Sequence, residues 1–177
     1  MKQTSKNVSP FSNEARNAYV IEHITDALLK LLQDKPIRDI SISELCELAG
    51  TGRASFYRNF ESKEDILRRY INEIFKEWTE EADKKENRLL NELLGLLFTH
   101  FEKHKDFYSL LNERNLIYLL KDVIIGLYGT KPEHCKEEAY ARTYFAYALY
   151  GWIEVWFQRG MQESAEEIAE MFRNQGL

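Results

Sequence analysis

The chain has 177 residues, of which 44% are hydrophobic and 30% charged, and its net charge is −5. This length and composition are ordinary for a globular protein of one compact domain or two small ones. They exclude a membrane span, because no apolar run approaches roughly 18 residues, and a disulfide framework, because only Cys46 and Cys135 are available. The first 17 residues lack the apolar stretch of a signal peptide, so we expect a soluble, cytoplasmic protein.

The N-terminal region predicts a flexible arm followed by a helix. Residues 1–15 are polar, as terminal arms usually are. From Val20 the pattern changes, and apolar residues recur at helical spacing from Ile21 to Leu32. This helix should stop before Pro36, because the residue that precedes a proline is disfavoured in the helical conformation.

Two short helices are predicted next. Ser41 and Glu44 form a capping box, in which the serine hydroxyl accepts a hydrogen bond from a backbone N–H and the glutamate reaches back. The apolar stripe behind this cap ends at Gly50, a residue without Cβ restrictions that suits a helix C-terminus. The following helix is predicted from Arg53 to Phe60, with two phenylalanines four residues apart directed inward.

The rest of the chain is helical in rhythm and shows no strand-like alternation, so the predicted fold class is all-α. Serine caps begin a longer helix at Ser62 and a short terminal helix at Ser164. The helices between them are predicted over roughly 88–103, 107–111, 113–128 and 132–159.

Residues 49–67 are the most informative part of the chain. They contain a helix end, a turn, a short helix and a new helix start, which is the layout of a helix-turn-helix that places its second helix in a DNA major groove. Arginine binds guanine edges or phosphates, and tyrosine offers a hydroxyl to a phosphate. The candidate DNA-binding residues are Ser41, Thr51, Gly52, Arg53, Ala54, Ser55, Tyr57, Arg58, Asn59 and Lys63.

The negative net charge is compatible with this assignment. Residues 1–63 hold 9 lysine and arginine residues against 8 acidic ones, whereas residues 64–177 hold 15 against 21. The acidic excess therefore lies outside the proposed helix-turn-helix, and a local basic patch remains possible.

Two of the candidate DNA-binding residues, Lys63 and Tyr57, have alternative interpretations in which they do not contact DNA. Lys63 would stand in the first turn of a helix, where a cation opposes the helix dipole. A DNA phosphate would relieve that conflict, and a solvated surface lysine is the alternative. Tyr57 would either face the DNA or join Phe56 in the core, and the inward placement of Phe56 and Phe60 favours the DNA.

Residues of roughly 17–67 resemble the N-terminal DNA-binding domain of the TetR family of transcriptional regulators. The shared features are Ile24 to Leu32 with Ala27, Ser41-Ile42, Leu45, Ala49-Gly50, Tyr57-Arg58-Asn59-Phe60, Ser62-Lys63 and Ile66-Leu67. The resemblance implies a homodimer with one half-site of a palindromic double-stranded DNA operator per subunit. It also implies a helical C-terminal domain that binds a small-molecule effector.

The resemblance further implies that residues 53–59 lie at the DNA groove and that Tyr57 and Lys63 contact phosphates. The chain departs from the family at Gly52, where the family usually has a serine or threonine cap. Glycine caps almost as well, but a hydroxyl contact to phosphate is lost there unless Thr51 replaces it.

On this basis we predict an arm over 1–15, a helix-turn-helix DNA-binding domain over 16–66 and a helical ligand-binding and dimerisation domain over 67–177. The predicted function is a sequence-specific transcriptional regulator, and we expect a repressor that a small-molecule effector releases from DNA. The alternative is a protein-interaction module that keeps the fold without dependence on DNA, since the helix-turn-helix carries little net charge. No catalytic pair, phosphate-binding glycine loop or metal set is evident, so we expect neither an enzyme nor a cofactor.

The C-terminal part after residue 63 holds 18 of the 23 aromatic residues. A stripe of small residues on its long helix predicts close helix packing, either in the core of the chain or in a dimer interface, and the resemblance favours the interface. The candidate interface residues are Ala141, Tyr144, Ala148, Trp152 and Val155. The candidate effector-pocket residues are Phe101, Phe107, Tyr108, Tyr118 and Tyr147.

Weaker patterns concern the histidines, the cysteines and the C-terminal residues. His100 and His104 are four residues apart, but no third ligand is evident, so a packed pair is favoured over a metal site. Cys46 is predicted to be a buried hydrophobe, and Cys135 lies near a helix start, with no role assigned. Residues 151–161 and 164–172 resemble a TetR subgroup that includes regulators of dihydroxyacetone kinase operons.

Overall fold

The computed structural model describes residues 13–82 and 90–174. These residues form nine α-helices and one 3₁₀ turn, with no strand among them, which confirms the predicted all-α class. The helices are α1 (Asn13–Asp34), α2 (Ile42–Leu48), α3 (Arg53–Asn59), α4 (Lys63–Ala82), α5 (Leu90–Lys103), α6 (Lys105–Glu113), α7 (Tyr118–Tyr128), α8 (Lys136–Gln158) and α9 (Ala165–Asn174). None of these helices is both long enough and apolar enough to cross a membrane.

The chain divides into two compact units, residues 1–67 and 68–177. The described part of the first unit contains α1 to α3, the 3₁₀ turn over Ile37–Asp39 and the start of α4. Its core side chains include Ile24, Leu28, Leu32, Leu45, Phe56, Phe60 and Ile66. Phe56 and Phe60 are 0% and 3% exposed, so the inward direction predicted from their spacing is confirmed.

The helix α1 begins earlier than the sequence pattern indicated. Residues 13–15 were expected in the arm but form the first turn of α1, and the rest of the expected arm lies outside the described residues. The first turns of α1 are largely exposed, so they carry no apolar period from which a helix is recognised. The helix ends at Asp34, before Pro36, as predicted.

In the second unit α5 packs against α9 and α7 against α8. The core is rich in aromatic rings, with Phe98, Phe101 and Trp156 in mutual contact. The predicted helix over 113–128 is shorter at its start, because Asn115 has a φ of 57° and interrupts the helix between α6 and α7. Asparagine tolerates this left-handed conformation better than most residues.

The turn from α8 to α9 is held by polar contacts. The indole N–H of Trp156 donates to the carbonyl oxygen of Glu163 at 2.8 Å. Ser164 and Glu167 form the predicted capping box. The Ser164 hydroxyl accepts a hydrogen bond from the Glu167 N–H at 3.2 Å, and the Glu167 carboxylate accepts one from the Ser164 N–H at 2.8 Å. These bonds fix where α9 begins and hence which face it presents to α5.

Candidate nucleic-acid interface

The seven-residue helix α3 is too short to be stable alone, so its neighbours fix its orientation. The ring of Phe56 is fully buried and lies 5.9 Å from the ring of Phe60, centroid to centroid. The preceding α2 ends at Leu48, and Gly50 follows its C-cap with a φ of +63°, a conformation that favours glycine, as predicted. The N–H of Thr51 then donates to the Cys46 carbonyl at 2.9 Å and closes the turn between the two helices.

The start of α2 is held by the predicted cap and by an ion pair. The hydroxyl of Ser41 accepts a hydrogen bond from the Glu44 N–H at 3.1 Å. The carboxylate of Glu44 binds the ammonium of Lys35 at 2.6 and 2.7 Å. Lys35 and the backbone N–H of Ser41 hold the pKa of Glu44 below its ordinary value. The glutamate therefore reaches back as the capping box predicts and also ties α2 to the segment that follows α1.

The outer face of α3 is polar and solvent-exposed. Arg53, Ala54 and Arg58 are exposed, and Tyr57 is 64% exposed. The Tyr57 ring meets the Phe56 ring edge-on, with the centroids 5.3 Å apart. Contact with a buried ring orients the tyrosine while its surface stays accessible. The structure therefore excludes the alternative in which Tyr57 belongs to the core.

Two candidate residues are directed inward instead. Asn59 is only 9% exposed, and its amide N–H donates to the Ser55 carbonyl at 2.9 Å, one turn back on α3. The hydroxyl oxygen of Thr51 is buried beside the thiol of Cys46, whose pKa is raised by burial. Thr51 is thus directed away from the position in which it would replace the hydroxyl that Gly52 lacks.

Lys63 has partners that the sequence did not indicate. Its ammonium donates hydrogen bonds to the carbonyl oxygens of Ile37 and Ile40, at the 3₁₀ turn. These two oxygens offset the unfavourable position of a cation in the first turn of α4. Lys63 is therefore not a solvated surface lysine, and it joins the start of α4 to the segment before α2.

A groove of about 670 Å³ lies between the first turns of α1 and the side of α3. It is lined by Arg16 and Asn17 of α1 and by Ser55, Arg58 and Asn59 of α3, and we call it the α1–α3 groove. Neither Arg16 nor Asn17 is among the residues predicted to bind DNA. No local pattern marks them, because their position beside α3 arises only from the packing of two helices that are distant in sequence.

Two family models match this chain. The model described as "Bacterial regulatory proteins, tetR family" matches residues 24–70, and that described as "Transcriptional regulator C-terminal region" matches residues 88–175. Together they cover most of the chain. The chain belongs to the TetR family. It is accordingly a DNA-binding transcriptional regulator of a family whose members bind operator DNA as dimers.

Several solved structures have a similar fold. The structure of Lin0861 from Listeria innocua has a TM-score of 0.71 at 18% identity, over 95% of this chain and 94% of that one. A TetR transcriptional regulator from Streptococcus agalactiae has a TM-score of 0.60 at 17% identity, over 92% and 96%. The fatty acid degradation regulator FadR from Bacillus halodurans has a TM-score of 0.52 at 14% identity, over 85% and 91%. At these identities the likeness concerns the fold. No curated protein matches the chain.

The C-terminal unit of this TetR-family regulator leaves one face of α8 uncovered by its own described residues. Tyr144 and Val155 are 66% and 53% exposed, whereas Ala148 and Trp152 are half-buried. These four residues line a groove of about 590 Å³ between α8 and α9, which we call the α8–α9 groove. Ala141 is exposed but does not line it. Within the described residues the stripe is therefore not covered as an intrachain core seam would be.

The five aromatic residues predicted to line an effector pocket differ widely in their exposure to solvent. Phe101 and Tyr108 have no exposed surface, and their ring centroids lie 4.8 Å apart. Tyr118 and Tyr147 are 44% and 50% exposed, and Phe107 is half-buried. Phe101 and Tyr108 therefore pack against each other in the core. Helical spacing alone does not distinguish such core residues from residues that line a pocket.

The histidine pair is part of the packed core of the second unit. The Nε2 atom of His100 lies 3.2 Å from the hydroxyl of Tyr108, whose pKa is raised by burial. The rings of His100 and His104 are 4.8 Å apart, centroid to centroid. Among the described residues no group of three or more potential ligands could hold a metal ion. Cys46 is buried, as predicted, and Cys135 is exposed at the start of α8.

Proposed function

We propose that this TetR-family regulator is a homodimeric, cytoplasmic repressor that binds a palindromic DNA operator through α3 and is released by a small-molecule effector. This proposal rests on the exposed polar face of α3. Arg53, Tyr57 and Arg58 project from a short helix whose opposite side is buried through Phe56. A helix held in this manner fits the second helix of a helix-turn-helix, which reads base edges in the major groove.

The chemistry of these side chains suggests their roles. Arg53 and Arg58 have guanidinium groups that bind guanine N7 and O6, or a phosphate, with two parallel hydrogen bonds. Tyr57 offers its hydroxyl to a phosphate from a ring that Phe56 orients. Ala54 and Gly52 are small and allow α3 to approach the groove closely. Ser41 is exposed at the start of α2 and Ser55 is half-buried on α3, and we propose that both hydroxyl groups face the DNA.

Three other candidate residues support this surface from within the unit. Asn59 holds the α3 backbone through Ser55, and Thr51 lies against Cys46. Lys63 uses two of its three N–H donors on backbone carbonyls. We propose that Asn59 and Thr51 position α3, and that Lys63 combines this role with the phosphate contact that the family resemblance implies.

The second part of the proposal is a dimer formed through α8 and α9. The proposed interface stripe contains small residues, Ala141 and Ala148, that allow close helix approach. It also contains the larger apolar residues Tyr144, Trp152 and Val155, which need a partner surface. In a two-fold dimer the same stripe of each subunit would face its copy. Such a dimer must hold its two α3 helices about 34–36 Å apart to enter successive major grooves.

The effector completes the mechanism. A molecule that binds better to a dimer with a different α3 spacing lowers operator affinity by its differential affinity for the two states. From the resemblance of residues 151–161 and 164–172 we also propose membership of the subgroup that includes dihydroxyacetone kinase operon regulators. The operons controlled by that subgroup are a starting point for finding the regulated genes.

The test is an operator-binding measurement on the purified protein. Operator candidates come from the DNA upstream of its own gene and from selection among random duplexes. We expect Arg58→Ala to lower affinity for the selected duplex by about ten-fold or more, because a bidentate arginine contact contributes about 1–3 kcal/mol of discrimination. Arg173→Ala, which removes an exposed arginine from α9, is the matched control and should leave binding unchanged.

Equal affinity of the wild-type protein for selected and random duplexes would contradict the proposal. The same holds if Arg58→Ala and Arg173→Ala behave alike. Co-purification of a protein partner, together with no salt-sensitive DNA affinity, would favour the alternative of an interaction module.

A further inference from the structure

The α1–α3 groove brings together charged and amide side chains from two helices. Arg16 and Asn17 are exposed on α1, and Arg58 is exposed on α3. The groove also contains the hydroxyl-bearing Ser55 and the nearly buried Asn59, whose amide is bonded to the α3 backbone. Asn59 is thereby held still, and the part of the groove next to α3 is polar and defined in shape.

The charged side chains in this groove suit an anion. Of the described residues that line it, Arg16 and Arg58 carry guanidinium groups and Glu14 carries a carboxylate. A guanidinium group matches a phosphate with two parallel hydrogen bonds, which is why arginine is common where phosphates are bound. The groove therefore combines a net positive lining with neutral hydrogen-bonding groups beside it.

The groove is continuous with the exposed face of α3 because Arg58 belongs to both. A duplex that places its bases along α3 must carry a sugar-phosphate strand at the side of that helix. Contacts to that strand fix the position of the protein on the duplex without reading its sequence.

We propose that the α1–α3 groove receives the operator sugar-phosphate backbone beside the bases that α3 reads, and that Arg16, assisted by Asn17, binds a phosphate there. This inference rests on the proposed function, since it takes the position of the DNA from α3. It extends the DNA-binding surface to the first turns of α1, next to the predicted boundary of the N-terminal arm.

The experiment compares Arg16→Ala with Lys30→Ala by measuring affinity for the selected operator and for random duplex at several salt concentrations. Lys30 is an exposed cation on the same helix, 14 residues further on and thus about 21 Å along its axis. Both variants lose one positive charge per subunit. Arg16→Lys serves as the conservative variant, because it keeps the charge but not the planar fork.

We expect Arg16→Ala to weaken binding to both duplexes by about ten-fold and to reduce the salt dependence by about one phosphate contact per subunit. Arg16→Lys should keep most of the salt dependence, and Lys30→Ala should resemble the wild type. Equal behaviour of Arg16→Ala and Lys30→Ala would overturn the inference, as would a loss confined to the selected operator, which would indicate base reading. If Arg58→Ala still impairs operator binding in either case, the proposed function stands and only the role of the groove fails.

Discussion

The helices α3 and α8 present opposite kinds of surface to the solvent. The exposed side of α3 carries Arg53 and Arg58 with the hydroxyl of Tyr57, and its apolar side is buried. The exposed side of α8 carries Tyr144 and Val155, although its other side is also buried in the core. A polar face is stable in water and suits a phosphate-rich partner, whereas a contiguous apolar face indicates a protein partner.

The two helices also differ in what holds them. The seven residues of α3 depend on contacts from outside the helix, above all on Phe56 and on the hydrogen bonds of the turns around it. The 23 residues of α8 have many internal hydrogen bonds and a long buried face. Substitutions near α3 should therefore alter local stability, and substitutions on the outer face of α8 should alter association without unfolding the chain.

The largest expected effect comes from placing charge in the α8–α9 groove. In the double variant Tyr144→Glu with Val155→Glu, the proposed dimer would bury four unpaired carboxylates. We expect dimerisation to weaken at least 100-fold, which corresponds to about 3 kcal/mol, and operator affinity to fall with it. Analytical ultracentrifugation over a range of protein concentrations measures the dimer dissociation constant.

The matched control for this variant is Gln158→Glu with Gln162→Glu. Both glutamines are exposed near the end of α8, and neither lines the groove. The control adds the same charge and should dimerise as the wild type does. An unchanged dissociation constant in the Tyr144/Val155 variant would show that this apolar face is not the dimer interface.

A smaller, local effect is expected from Lys63→Met in the first unit. The substitution removes both hydrogen bonds from the ammonium group to the carbonyls of Ile37 and Ile40. A hydrogen bond that involves a charged group contributes about 1.5–3 kcal/mol, and the Ile37 carbonyl keeps its bond from the Ile40 N–H. Amide hydrogen exchange should show this loss in the opening free energy of α2 and α3 but not of α8. Lys30→Met is the control for removal of a lysine charge.

The same variant distinguishes the two roles of Lys63. A purely structural role would leave the salt dependence of operator binding unchanged after correction for the folded fraction. A phosphate contact would reduce that dependence by about one contact per subunit. Unchanged hydrogen exchange in α2 and α3 would contradict the structural role.

The smallest expected effect is the pH dependence at Glu44. Its pKa is lowered in the folded protein by Lys35 and by the Ser41 N–H, below an ordinary value of 4.5. Its stabilisation is therefore complete above the unfolded pKa and is lost as the pH falls through the folded pKa. Glu44→Gln should be slightly less stable than the wild type at pH 7, and the difference should vanish in acid. Glu47→Gln, an exposed carboxylate on the same helix, is the control.

The difference in the free energy of unfolding between wild type and Glu44→Gln is measured by urea denaturation between pH 7 and pH 3. Circular dichroism or hydrogen exchange monitors the unfolding. A constant difference between wild type and Glu44→Gln at every pH would show that the ion pair with Lys35 does not contribute to stability.

Where the sequence succeeded, the controlling interactions were local. The cap at Ser41, the left-handed Gly50 and the inward pair of Phe56 and Phe60 each depend on residues within four positions of one another. Helical periodicity has the same short range, so the all-α class and most helix positions followed from it. The helix-turn-helix was recognisable because its short elements are ordered by caps and turns that leave a local pattern.

What only the tertiary structure decided depended on distant residues. Lys63 is bonded to carbonyls 26 and 23 residues earlier, and Arg16 lines a groove with Arg58 from another helix. The sequence pattern of the apolar stripe on α8 is the same for a stripe buried in its own chain and for one that faces a partner. Side-chain periodicity states which residues share a face, but the fold determines what that face meets, because packing partners are chosen in space rather than along the chain.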